Sequence, residues 1–150
     1  MTTSQQLLKP RRSSRAIFVG PVQVGGGAPI TVQSMTNTDT CQVDRTLAQI
    51  QALAQAGCEI IRVAVRDDKA MAAFKEITAA SPLPVIADIH FSPKLAIGSL
   101  EAGAAAVRIN PGNLGGVEPT KKVVAACRQL GKSLRLGINA GSLEADLAQQ

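Results

Sequence analysis

Aromatic residues are almost missing from this chain, which has three Phe, no Tyr and no Trp among 150 residues. With 45% of residues hydrophobic, the core must be assembled from Ala, Val, Ile and Leu, which suits helices packed on a parallel sheet better than an aromatic-rich β-sandwich. No apolar run reaches about 18 residues and no signal-peptide core occurs, so a cytosolic protein is expected, with no membrane partner. The C-x-x-C spacing is absent too. Cys41, Cys58 and Cys127 form an odd set that reads as free thiols in a reducing compartment, with Cys58 and Cys127 at apolar-face positions of the core. Acidic residues are absent before Asp39, whereas Lys9, Arg11, Arg12 and Arg15 precede it. All eleven acidic residues therefore fall among the other twelve basic ones, and the formal charge of +5 drops to +1 from residue 39 onward. That is too little for a nucleic-acid footprint. Residues 1–15 read as a flexible basic tail; the alternative is an organelle transit segment, which would make the destination a plastid.

What is present is alternation. AIFVGPVQVGGGAP predicts a β-hairpin around Gly20-Pro21, and Gly25, Gly26 and Gly27 read as a turn into the strand ITVQSM rather than a phosphate loop, since no Lys-Ser/Thr pair follows. VDRTLAQIQALAQAG places apolar residues at 43, 47, 50 and 54, one helical stripe ending at Gly57. CEIIRVAV is a strand, and a helix over 67–80 carries Ala70, Phe74 and Ile77 on one face. LPVIADIH follows as a strand, then a helix capped by Ser92, with Pro93 in its first turn and Gly103 as its stop. AAVRIN is the next strand. A helix over 118–130 then buries Val123, Val124, Cys127 and Leu130, SLRLGIN is a further strand, and a last helix opens at Ser142.

The order helix, Gly, apolar strand, Arg recurs: Gly57 precedes Arg62, Gly103 precedes Arg108 and Gly131 precedes Arg135. Strands recur at the spacing of successive β-α units, which implies consecutive parallel strands with right-handed crossovers. Each strand divides into two faces. Ile61, Val63 and Val65 lie opposite Ile60, Arg62 and Ala64; Val85, Ala87 and Ile89 lie opposite Ile86, Asp88 and His90. Ala105, Val107 and Ile109 lie opposite Ala106, Arg108 and Asn110, and Leu134, Leu136 and Ile138 opposite Arg135, Gly137 and Asn139. In the first strand Ile30 and Val32 lie opposite Thr31, Gln33 and Met35. The apolar set belongs under helices. A doubly wound sheet would bury the other set as well, at a cost of several kcal/mol per unpaired charge. A (β/α)₈ TIM barrel turns it into the lumen, near the mouth where barrel active sites lie.

The expected lumen set is Arg62, Asp88, His90, Arg108, Asn110, Arg135 and Asn139. Three guanidinium groups against one carboxylate suit a multiply charged anion such as a phosphate. The plainer reading of any one of them is a structural pair, such as Asp88 with an Arg. His90, the only histidine, shares its face with Asp88 and suits hydrogen bonding or proton transfer. No recognised metal-ligand spacing joins His90, Cys41 and Asp88.

VQSMTNTDT at 32–40, ADIHF at 87–91, VRINPGN at 107–113 and LGINAGSLE at 136–144 resemble the 4-hydroxy-3-methylbut-2-enyl diphosphate synthase family of the methylerythritol phosphate route to isoprenoids. The resemblance implies a (β/α)₈ barrel that binds 2-C-methyl-D-erythritol 2,4-cyclodiphosphate, and a [4Fe–4S] cluster in a separate C-terminal domain that opens the ring reductively with loss of water. It implies that Arg62, Arg108 and Arg135 hold the diphosphate, that Asp88, His90, Asn110 and Asn139 line the pocket, that ferredoxin or flavodoxin donates electrons, and that the intact enzyme is a homodimer. The chain covers five β-α units and lacks the family's three cluster cysteines and its glutamate, which lie later. It is therefore expected to be the N-terminal part of the barrel, residues 16–150, without reductase activity alone. Two alternatives stand beside this: a pterin-binding barrel transferase resembling dihydropteroate synthase, and a non-catalytic phosphate-binding fragment.

Overall fold

The computed structural model describes residues 12–139. The helix expected from Ser142 lies outside them, as does most of the segment read as a basic tail. Within them the chain opens with a hairpin of β1 (Ile17–Val19) and β2 (Val22–Val24), paired antiparallel around Gly20-Pro21. It then alternates: β3 (Gln33–Met35), α1 (Val43–Gln55), β4 (Ile60–Ala64), α2 (Asp68–Ala80), β5 (Val85–Ile89), α3 (Pro93–Glu101), β6 (Ala106–Ile109), α4 (Val117–Gln129) and β7 (Ser133–Leu136). Strands β3 to β7 form one parallel sheet in sequential order, the α/β arrangement of a TIM barrel whose arc is not closed by these five strands.

Local chemistry sets the boundaries. The Asp67 side chain caps α2 by accepting from the Ala70 amide at 2.8 Å, and Ser92 caps α3 by accepting from Leu95 at 3.3 Å, with Pro93 in its first turn. After α1, α3 and α4 the chain turns at Gly57, Gly103 and Gly131, all at positive φ, a conformation that a Cβ would penalise. The repeated glycine is thus the hinge that returns each helix to the next strand.

One core lies between the sheet and the helices. Ile61, Val63, Val85, Ala87, Val107 and Ile109 meet Ile50, Phe74, Ile77, Leu100 and Val123 there. Each large side chain removed from water contributes roughly 1.5–3 kcal/mol. A second, smaller cluster lies at the strands' N-terminal end, where Val19 of the hairpin packs on Ile60, Ile86, Ala105 and Ala106. The Ser133 hydroxyl donates to the Phe18 carbonyl at 2.6 Å, so the hairpin is tied to β7 and forms the floor of the hollow.

Several apolar positions depart from the expected burial. Ile30 is 82% exposed and Val32 54%, while Leu136 and Ile138 are exposed as well. They lie in or next to the two edge strands, where described helices cover the outer face on one side only. The first ladder strand shortens to Gln33–Met35, the Val32 amide donating to the Glu59 side chain at 2.8 Å in place of a strand partner. Leu130 is exposed and Val124 half-buried, because the buried stripe of α4 runs through Val123 and Cys127. Ala105 sits with the hairpin and not beneath the helices, since β6 starts one residue later.

Candidate functional site at the lumen mouth

Register explains why the polar residues converge. Ala64, Asp88, Arg108 and Arg135 are successive partners across β4 to β7 and form one rung of the inner face. Met35 and Arg62 form the rung below, beside Ile86 and Ala106. Parallel partners point to the same side of the sheet, so one rung of alternating strands yields a ring of side chains.

Asp88 organises that ring. It is 3% exposed, and its two oxygens face different arginines: Oδ1 lies 3.3 Å from Arg108 Nη1 and Oδ2 lies 3.6 Å from Arg62 Nε. Structural pairing of Asp88 is therefore present, and it gathers two guanidinium groups at once. Arg62 also directs Nε and Nη2 at the Met35 sulfur, at 3.3 and 3.1 Å, which fixes the plane of its fork. Arg135 reaches across the hollow, its Nη1 donating to Gln33 Oε1 at 2.7 Å. That bond joins the two edge strands over 102 residues of chain and shows how far the sheet has curled. The hollow beneath Arg135 and Gln33 is a cavity of about 650 Å³, floored by Val19, Ile60, Ile86 and Ala106.

The other expected residues are spread around this centre. His90 Nε2 is 3.9 Å from Asp88 Oδ2, beyond hydrogen-bond reach, and its ring is tilted against Phe91 with centroids 6.0 Å apart. Asn110 is 2% exposed and accepts from the Gly112 amide at 3.2 Å, so its side chain shapes the loop that follows β6. Asn139 lies at the exposed end of the strand segment after β7. Arg62, Asp88 and Arg108 are thus in contact, His90 stands beside them, and Arg135, next to Arg108 in register on β7, reaches across the hollow to Gln33. Gln33 and Met35 were not singled out in the sequence, although they share the inner face of the first strand. The missing signal was the partner each meets, which lies 102 and 27 residues away.

Three guanidinium groups and one carboxylate leave an excess of two positive charges on the two upper rungs of the inner face, and of the three arginines Arg135 lines the cavity itself. With the arginine side chains of Arg62 and Arg108 only 23% and 15% exposed, that excess is poorly screened by water and attracts an anion strongly. Metal chemistry does not fit these residues. Among the described residues no three His, Cys, Asp or Glu side chains are placed to hold a metal ion. Cys58 and Cys127 are buried and Cys41 is exposed in the loop before α1. Burial pushes the Cys127 thiol up; the Cys41 thiol is pushed up by desolvation first and then by the Asp39 and Asp67 carboxylates.

Comparison with known proteins agrees with this fold. The model of the GcpE TIM-barrel domain matches residues 14–150. A 4-hydroxy-3-methylbut-2-en-1-yl diphosphate synthase (flavodoxin) of Desulfotalea psychrophila is 56% identical over 140 residues, covering 93% of this chain and 38% of the relative. The protein of the same name from Magnetococcus marinus is 49% identical over 150 residues, covering 100% of this chain and 40% of the relative. The chain thus spans about two fifths of the curated relatives it matches. Among solved structures, dihydropteroate synthase from Stenotrophomonas maltophilia superposes with a TM-score of 0.55 at 16% identity, over 77% of this chain and 46% of that one. The likeness is one of fold alone.

Proposed function

Because the chain belongs to the GcpE TIM-barrel family, we propose that it is the barrel part of a 4-hydroxy-3-methylbut-2-en-1-yl diphosphate synthase and that its lumen mouth grips the substrate's diphosphate. The observation that carries the reading is the pair of guanidinium groups held by the buried Asp88 together with Arg135 on the same rung, an excess of two positive charges on the inner face. The cyclic diphosphate of 2-C-methyl-D-erythritol bears one ionised oxygen on each phosphorus, so its charge matches that excess. Arg62 and Arg108, gathered by one carboxylate, offer neighbouring planar forks to the two phosphates. Arg135 closes the ligand in from β7, exchanging its bond to Gln33 for one to a phosphate oxygen. His90 and Asn139 line the rim, where they orient the sugar portion, and Asn110 keeps the loop after β6 in place.

In the whole enzyme a [4Fe–4S] cluster supplies the electrons for ring opening, and its ligands belong to the C-terminal domain implied by the resemblance. The printed names of the relatives favour flavodoxin over ferredoxin as the electron donor. The intact enzyme is proposed to be a homodimer. The described part has a binding role: it holds the diphosphate still while the chemistry proceeds at the carbon skeleton. A pterin transferase has only fold likeness in its support, and a pterin site calls for one arginine where this lumen carries three.

Isothermal titration of the chain with the cyclodiphosphate and with inorganic pyrophosphate tests the proposal. Binding is expected to both, and Arg108→Lys is expected to weaken it on the order of tenfold, since an ammonium cannot reproduce a two-pronged contact. Absence of binding by the native chain would overturn the reading, and unchanged affinity in the variant would remove Arg108 from the site.

A further inference from the structure

Gly137 follows β7 on the inner face, alternating with Arg135 and Asn139. Its amide donates to the Ile109 carbonyl at 2.9 Å, which extends the β6–β7 ladder one step past the last strand residue and ties this backbone to β6. The guanidinium of Arg108 lies directly over the bare α-carbon. A Cβ placed on Gly137 would come within 2.7 Å of Arg108 Cζ, and Nε and Nη2 would be closer still. Gly137 is not among the glycines at positive φ, so its backbone conformation is open to any residue. What requires a glycine here is the neighbouring arginine.

We propose that Gly137 is a positioning residue that leaves the groove in which the Arg108 guanidinium lies, and so sets the anion-binding geometry of the lumen mouth. The two ends of the contact are both fixed. Gly137 cannot retreat without breaking the bond to Ile109, and Arg108 cannot turn inward without leaving Asp88, 3.3 Å from its Nη1. A methyl group at position 137 therefore displaces the guanidinium outward, toward solvent. The displaced atoms are the far end of a flexible side chain, so the strain is relieved by a rotamer change and the ladder survives. The expected loss is in ligand binding, with little change in stability. The inference deepens the diphosphate-binding reading and rests on it for its affinity measurement.

A double-mutant cycle tests it, with inorganic pyrophosphate as the probe and the native chain, Gly137→Ala, Arg108→Ala and the double variant as corners. Gly137→Ala is expected to melt within about 2 °C of the native chain and to bind pyrophosphate on the order of tenfold more weakly. The double variant is expected to bind no more weakly than Arg108→Ala, because the alanine acts through the arginine. Native affinity in Gly137→Ala, or losses that add in full, would overturn the proposal. If Gly137→Ala fails to fold, the double variant decides: removing the guanidinium restores folding if the clash is the cause, and persistent unfolding overturns it. If the native chain binds no pyrophosphate, the diphosphate reading falls by itself. The Arg108 Nε–H resonance, identified by its loss in Arg108→Lys, then decides the matter. A shift in Gly137→Ala supports the contact, and an unmoved resonance overturns it.

Discussion

The outer and inner faces of the parallel sheet are made by alternate residues of the same strands, yet they obey different rules. Outside, Ile61, Val63, Ala87, Val107 and Ile109 are fully buried against helices, and what matters there is volume and the exclusion of water. Inside, the floor is apolar under the hairpin, while Arg62 stands on the rung of Ile86 and Ala106 and the next rung carries Asp88, Arg108 and Arg135. What matters there is the placing of charge. Stability thus resides mainly in one face and ligand recognition in the other, separated by the thickness of a single backbone layer.

The comparison can be broken by showing that an outer residue governs binding or that an inner one governs the fold. The largest effect is expected outside. Phe74 has no exposed surface, and Phe74→Ala should lower the free energy of unfolding by about 3–5 kcal/mol in urea denaturation, with pyrophosphate affinity unaltered in the molecules that remain folded. A loss of affinity there would couple the two faces. Next comes Asp88→Asn, which leaves two guanidinium groups facing each other without their carboxylate. Breaking a fully buried pair costs roughly 3–5 kcal/mol. Because the Arg62 and Arg108 side chains keep 23% and 15% exposure, about 2 kcal/mol is expected. An unchanged denaturation midpoint would show that Asp88 does not organise the ring. The smallest effect sharpens the boundary. Ser92→Ala removes one cap bond of α3 beside the mouth and should cost about 1 kcal/mol of stability. Titration should detect no change in pyrophosphate binding.

Much of this was legible along the chain, for reasons that differ from element to element. The α2 stripe of Ala70, Phe74 and Ile77 is buried as expected, because helical period depends on local geometry alone. Gly57, Gly103 and Gly131 mark helix ends for an equally local reason, the cost of a Cβ at positive φ. Placing Arg62, Asp88 and Arg108 on one face needed only strand alternation. Burial at the edges was not legible: Ile30, Val32, Leu136 and Ile138 look like core residues, and only the position of a strand in the sheet decides whether a helix covers them. Alternation puts Asn110 on the inner face, but that its Oδ1 also accepts from the Gly112 amide of the following loop is a turn contact that strand period does not reveal.

By itself the sequence determined the order of elements, the two-faced character of every strand and the presence of three arginines on one of those faces. These follow from period, caps and the conformational preferences of glycine, all of which act over a few residues. Tertiary structure alone decided that Asp88 would hold two arginines, that Arg135 would meet Gln33 across the hollow and that Arg108 would lie over Gly137. Those contacts depend on strand register and on the curl of the sheet, and both arise from packing among segments far apart in the chain.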